Sequence, residues 1–158
     1  MGVDVYGKSG NHFARCYGNW RPLADYIYTV APEVTANFEH WQSNDGDGLD
    51  AAEASALATK LNAELVSGRT EAYAVRDASA RAMMPDVGCW LCDGSGTRKP
   101  LKPHPELGAG DPTTNGIKCN VCHGRGYVCA PGSQYRFDVE DVREFAHFLG
   151  QSGGFEIW

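Results

Sequence analysis

The apolar positions change period several times along the chain, and each change marks an element. Val3 and Val5 alternate with Asp4 ahead of Tyr6, which predicts a short strand over residues 2–7. From Trp20 the period lengthens. Leu23, Tyr26, Ile27 and Val30 recur at helical spacing, and Trp20-Arg21-Pro22 reads as the opening, with Pro22 suited to a first turn. Pro32 breaks this helix or starts another, and Val34, Phe38 and Trp41 form a second short stripe. The aromatic group Trp20, Tyr26, Tyr28, Phe38 and Trp41 reads as core rather than as a ligand platform, because large aromatics are mostly buried.

The clearest stripe is Ala54, Leu57, Ala58, Leu61 and Leu65, with Gly68 as the stop. Thr70 then begins a helix predicted to reach Met84 and halt at Pro85, on a thinner stripe of Ala72, Val75, Ala82 and Met83. Asp138 is placed to cap a helix carrying Val142, Phe145, Ala146 and Leu149 and ending at Gly150. Phe155-Glu156-Ile157-Trp158 alternates again, and this tail is expected to pair with the first strand, since chain ends often lie close. The expected fold is mainly α with a small β element (α+β). A helical body, 1–86 plus 130–158, has short terminal strands and carries an inserted zinc-binding hairpin module over 87–129.

The insertion has its own logic. Cys89-Trp90-Leu91-Cys92-Asp93-Gly94-Ser95-Gly96 returns as Cys119-Asn120-Val121-Cys122-His123-Gly124-Arg125-Gly126, so the pattern C-x-x-C-x-G-x-G occurs twice. A C-x-x-C turn brings two sulfurs to two corners of a tetrahedron, and two facing turns supply the four ligands of one structural zinc. The glycines admit positive φ, letting backbone amides turn toward the thiolates. Between the copies, residues 97–118 hold Pro100, Pro103, Pro105 and Pro112 and few large apolar side chains. Zinc contributes roughly 10–16 kcal/mol to folding in small peptides, enough to hold such a segment. A disulfide pair would need an oxidising compartment, and Met1-Gly2-Val3-Asp4-Val5 does not read as a signal peptide, which points to the cytoplasm. No βαβ pattern surrounds Cys89 or Cys119, against a thioredoxin-like pair. Cys16 and Cys129 lie outside the pattern and are expected to be buried small hydrophobes. His123, next to Cys122, is poorly placed to reach the same ion, and His104 is an outside candidate.

The repeat resembles the cysteine-rich zinc-binding hairpins of DnaJ-type co-chaperones. The likeness covers the two eight-residue motifs. DnaJ-type proteins carry four copies and two zincs, whereas this chain has two copies, and it lacks an HPD-containing J domain and a Gly/Phe-rich linker. The resemblance therefore implies zinc ligation by Cys89, Cys92, Cys119 and Cys122, and not chaperone activity. A second likeness runs nearly the full length. Gly-Val-Asp-Val-Tyr-Gly at the start, Trp20-Arg21-Pro22-Leu23, Asn44-Asp45-Gly46-Asp47-Gly48-Leu49, the cysteine pair, Val142-Arg143-Glu144-Phe145-Ala146 and Gly153-Gly154-Phe155 together are similar to a group of small uncharacterised proteins of bacteria and their phages. It implies a cytoplasmic, phage-related accessory protein.

Composition and charge narrow the roles. The 158 residues suit one compact domain with an appendage, and 42% hydrophobic content permits a core. No apolar run approaches the ~20 residues that span a membrane. A net charge of −6 disfavours general nucleic-acid binding. The charge is uneven: residues 86–129 hold five basic and four acidic side chains, a balance of +1 against −7 for the remainder. Any phosphate contact therefore belongs to the cysteine module.

Asn44-Asp45-Gly46-Asp47-Gly48-Leu49-Asp50 invites a calcium reading, and the register fails it. With Gly48 at the invariant glycine of an EF-hand, Ser43 takes the first ligand position and Ala54 the twelfth, where a bidentate Glu is needed. A turn followed by a capping box of Asp50 and Glu53 is the simpler account.

Three functions compete. The favoured one is a non-enzymatic accessory or regulatory protein: a closed tetrathiolate zinc leaves no open position for catalysis, so the module would present a surface to a protein partner. Candidate contacts are Trp90, Arg98, Lys99, Lys102, Lys118 and Arg125. The second is nucleic-acid binding by the module, with Lys99, Lys102, Lys118 and Arg125 meeting phosphates and Trp90 stacking on a base. The third is a metal-dependent enzyme or ligand-binding protein using His40, Asp45, Asp47, Asp50 and Glu53.

Overall fold

The computed structural model describes residues 2–36, 38–43, 45–98 and 116–158. Two compact units emerge. One comprises Met1–Ala82 with Gln134–Trp158, the other Met83–Ser133. The chain is α+β, with five helices and two small antiparallel sheets among the described residues.

In the first unit, β1 (Gly2–Gly7) turns back through Lys8–Asn11 into β2 (His12–Cys16). The C-terminal strand β6 (Phe155–Ile157) pairs with the other edge of β1, and β3 (Gly48–Leu49) pairs with β6, giving the order β2-β1-β6-β3. The tail does pair with the first strand, Val5 standing opposite Ile157. Because side chains alternate across a strand, Val3, Val5, Phe13, Leu49, Phe155 and Ile157 share one face, and all are buried. The sheet is larger than two terminal strands. The alternation of β2 is masked by His12 and Arg15, and β3 is too short to show a period. Gly48 is what lets β3 approach: a Cβ there would lie 2.0 Å from the carbonyl oxygen of Phe155.

Helices α1 (Tyr17–Val30), α3 (Ala51–Val66) and α5 (Val139–Ser152) complete this core with Trp20, Leu23, Ile27, Leu57, Leu61 and Phe145. The helix expected from Trp20 starts earlier, at Tyr17, so Pro22 lies inside it rather than in its first turn. Pro32 opens the four-residue α2 (Pro32–Thr35). Beyond it, Trp41 is fully buried. It stacks on Phe38 at 4.4 Å between ring centroids, and its carbonyl accepts the Trp20 indole N–H at 2.8 Å. The aromatic group is core, as its residue types suggest.

The capping box of α3 is present: the Asp50 carboxylate accepts from the Glu53 amide at 2.8 Å, and the Glu53 carboxylate accepts from the Asp50 amide at 3.0 Å. Asp138 caps α5, but that helix runs past Gly150 to Ser152 and ends at Gly153, whose φ of 63° is left-handed. Helix α4 (Arg69–Ala82) packs on the opposite side from the one expected. Ala72, Val75, Ala82 and Met83 are exposed, whereas Thr70, Tyr73, Asp77 and Arg81 turn inward. The reason is contact with other elements: Thr70 bonds the Tyr26 hydroxyl at 2.8 Å and Tyr73 packs on Tyr26 and Phe137, while Asp77 and Arg81 pair with each other along the helix at 2.7 Å. No described helix is long and apolar enough to cross a membrane.

Candidate metal centre

The second unit is built on the two cysteine motifs. Short strands β4 (Val87–Gly88) and β5 (Tyr127–Val128) pair antiparallel on one side, and Thr97 bridges Lys118 on the other. An offset of 30 residues relates these features. Val87 and Gly88 correspond to Ile117 and Lys118, and Thr97 and Arg98 to Tyr127 and Val128. The hydrogen bonds obey the same relation: the Cys89 amide donates to the Gly126 carbonyl at 2.8 Å, and the Cys119 amide to the Gly96 carbonyl at 2.9 Å. Asp93 and His123 match as well, with positive φ of 48° and 53°. The sequence repeat is thus an approximate two-fold in three dimensions.

At its centre Cys89, Cys92, Cys119 and Cys122 are buried, at most 1% exposed, with all four sulfurs within 4.8 Å of one another. Sγ of Cys89 and Cys119 are 3.7 Å apart, as are those of Cys92 and Cys122. A tetrahedron of sulfurs about 2.3 Å from a central ion has edges of about 3.8 Å, so the spacing fits a thiolate-bound metal. Burial pushes the Cys89 thiol up to about 11. At Cys122 burial acts the same way, but amide N–H groups of Gly126 and Gly124 and the neighbouring Cys119 and Cys92 outweigh it and bring the thiol down to about 7. Four thiolates this close repel one another, and a bound divalent cation removes the repulsion.

The other predicted residues fall as follows. Trp90 is 72% exposed. The Arg98 guanidinium donates to the Asn120 side-chain oxygen at 2.8 and 3.0 Å. The Arg125 guanidinium lies 5.2 Å from the centre of the Tyr127 ring, and Lys118 is exposed. Lys99, Lys102 and His104 lie outside the described residues, as does Asn44. Cys16 and Cys129 are exposed, against expectation. Cys16 sits at the start of α1, where its thiol meets the Asn19 side chain at 3.1 Å, and Cys129 follows β5 beyond the cysteine cluster.

The acidic stretch does local work. Asp47 accepts from the His40 amide at 2.5 Å, Asp45 stands 3.9 Å from the His40 ring, and Asp50 and Glu53 serve the cap. Among the described residues, the four cysteines are the one group of three or more Cys, His, Asp or Glu side chains close enough to share an ion. A cleft of about 500 Å³ between β2 and α5 was not foreseen. Its charged groups are already matched, Glu144 with Arg15, Arg143 with Glu140 and His12 with Asp4.

No family model, curated protein or solved structure matches this chain. Function has to be argued from the site itself.

Proposed function

We propose that this is a zinc-binding accessory or regulatory protein, phage-related and cytoplasmic, that acts by binding a protein partner. Its single zinc, held by Cys89, Cys92, Cys119 and Cys122, is structural. The observation that carries the reading is the buried set of four sulfurs, all within 4.8 Å of one another and with two pairs 3.7 Å apart. Tetrathiolate geometry selects zinc or iron among common metals, and four protein ligands leave no position for a reacting water. The phage-related and DnaJ-like parts of the reading rest on the sequence resemblances alone.

Partner binding is supported by where apolar surface is exposed. Of ten large hydrophobic side chains exposed among the described residues, six lie in the second unit: Met83, Met84, Val87, Trp90, Ile117 and Tyr127. Contiguous exposed apolar surface marks interaction sites, and the concentration of these side chains in the smaller unit is what supports the reading. The test has two readings. Purified protein should carry one zinc per chain. Metal-loaded protein should capture one specific protein that is lost with both the chelated protein and Trp90→Ala. Capture indifferent to both changes sinks the partner reading, and a chain that binds no metal sinks the whole.

Nucleic-acid binding is the second reading, favoured by one arrangement: exposed Tyr127 carries the Arg125 guanidinium on its ring, in the unit that also exposes Trp90. A salt titration with short single strands decides it, and no affinity at low salt removes it.

A further inference from the structure

We infer that Gly96 and Gly126, the last glycines of the two motifs, are positioning residues of the metal centre, each closing the half-site of the opposite repeat. The inference rests on the reading that the four thiolates hold one metal ion.

Each glycine has three engagements. Its amide points at the second cysteine of its own repeat: Gly96 N–H donates to Cys92 Sγ and Gly126 N–H to Cys122 Sγ, both at 3.3 Å. Its carbonyl reaches across to the first cysteine of the other repeat, Gly96 accepting from Cys119 at 2.9 Å and Gly126 from Cys89 at 2.8 Å. Its Cα faces the opposing backbone so closely that no side chain fits. A Cβ on Gly96 would lie 2.5 Å from the Gly124 oxygen, and one on Gly126 would lie 2.3 Å from the Gly94 oxygen. Both are buried, with φ of +76° and +82°.

The first glycines of the motifs share at most the amide: the Gly124 N–H also acts on the Cys122 thiol, but it is the Gly96 and Gly126 carbonyls that accept from a cysteine of the opposite repeat. Gly94 and Gly124 also have positive φ, but they are exposed. A Cβ on Gly94 would come no nearer than 3.8 Å to another atom, and one on Gly124 would meet the flexible Lys118 side chain at 3.5 Å and the Gly96 oxygen at 3.9 Å, both ordinary contacts. Gly88 has ordinary backbone and nothing within 4 Å. The second glycine alone couples a thiolate in one repeat to the backbone of a cysteine in the other. An N–H aimed at sulfur favours thiolate over thiol, and groups in this outer position typically carry a large share of a site's affinity.

The test uses the full chain loaded with cadmium-113, which replaces zinc at thiolate sites and is visible by NMR. The expected result is scalar coupling between the metal and the amide protons of Gly96 and Gly126, transmitted through N–H···S. Gly96→Ala and Gly126→Ala should each weaken metal binding about 10–100-fold in competition with a chelator, by similar factors, while Gly88→Ala binds as the wild type does. Absence of coupling at both amides overturns the inference, and this measurement needs no variant to fold. Alanine variants that bind as tightly as Gly88→Ala overturn it too. Wild-type protein that binds neither zinc nor cadmium overturns the metal reading itself, a distinct outcome.

Discussion

The two units of this chain are held together by different means. In the first, buried side chains from three helices, four strands and the segment that carries Trp41 form one continuous core, centred on Trp20, Trp41, Phe145 and Phe155. In the second, the buried hydrophobic cluster consists of four cysteines, with Leu91, Val121 and Val128 half-buried against it. Stability in the first unit is spread over many apolar contacts, each replaceable at moderate cost. In the second it converges on four sulfurs. The difference teaches that one part of a chain can be ordered by burial and a smaller part by ligation. Where ligation does the ordering, apolar side chains are left free for the surface.

The largest expected effect tests that separation. Removing the metal, by chelation or by Cys89→Ser, should strip the second unit of its ordering energy, which in zinc-binding peptides is roughly 10–16 kcal/mol. Amide hydrogen exchange should then show protection lost over residues 87–98 and 116–129 and retained in α1, α3 and α5. Loss of protection in both units together would break the comparison.

A smaller effect is expected from the other side. Trp41 is fully buried, packed between Phe38, Trp20 and Phe155. Trp41→Ala should cost the first unit about 3–5 kcal/mol, through lost burial and the cavity left behind. Thermal unfolding followed by near-ultraviolet circular dichroism measures it. Metal affinity should stay at the wild-type value, and a drop in affinity would mean that the two units share an energetic core.

The sequence disclosed these units unequally. The cysteine pattern was fully legible because ligand chemistry fixes both residue type and spacing, and all four sulfurs converge. The α3 cap was equally legible, since Asp50 and Glu53 act within one turn. Long-range side-chain contact was not. Helix α4 was given its apolar stripe as the inward face, yet Thr70 and Tyr73 are held inward by partners on α1 and near α5 that no local period reveals. Strands β2 and β3 were missed for the same kind of reason: their place is set by β1 and β6. Cys16 and Cys129 show the limit of residue-type averages, because both are exposed although cysteine is usually buried. The two-fold was implicit in the 30-residue offset, but only paired hydrogen bonds such as Cys89 to Gly126 and Cys119 to Gly96 make it visible.

The finest division between the units is drawn with acid. In the first unit Glu64 is buried, with two hydrogen bonds from the Arg69 guanidinium at 2.7 and 2.8 Å, and that contact holds its carboxyl below the usual glutamate range. A carboxyl whose folded pKa is depressed contributes stability that is complete above its unfolded pKa. The contribution is lost as pH falls through the folded value. In Arg69→Ala the buried carboxylate loses its hydrogen-bonded cation and keeps only the weaker field of Lys60, so its charged form costs more at neutral pH and protonation relieves that cost. The gap in stability between wild type and Arg69→Ala should therefore be widest near neutrality and shrink as pH falls through the carboxylate range. Acid also protonates the thiolates of the second unit and releases its metal, but equally in both proteins, so that change cancels in the difference. A gap that stays constant from neutral to acid pH would show that the pair contributes no charge-dependent stability to the first unit.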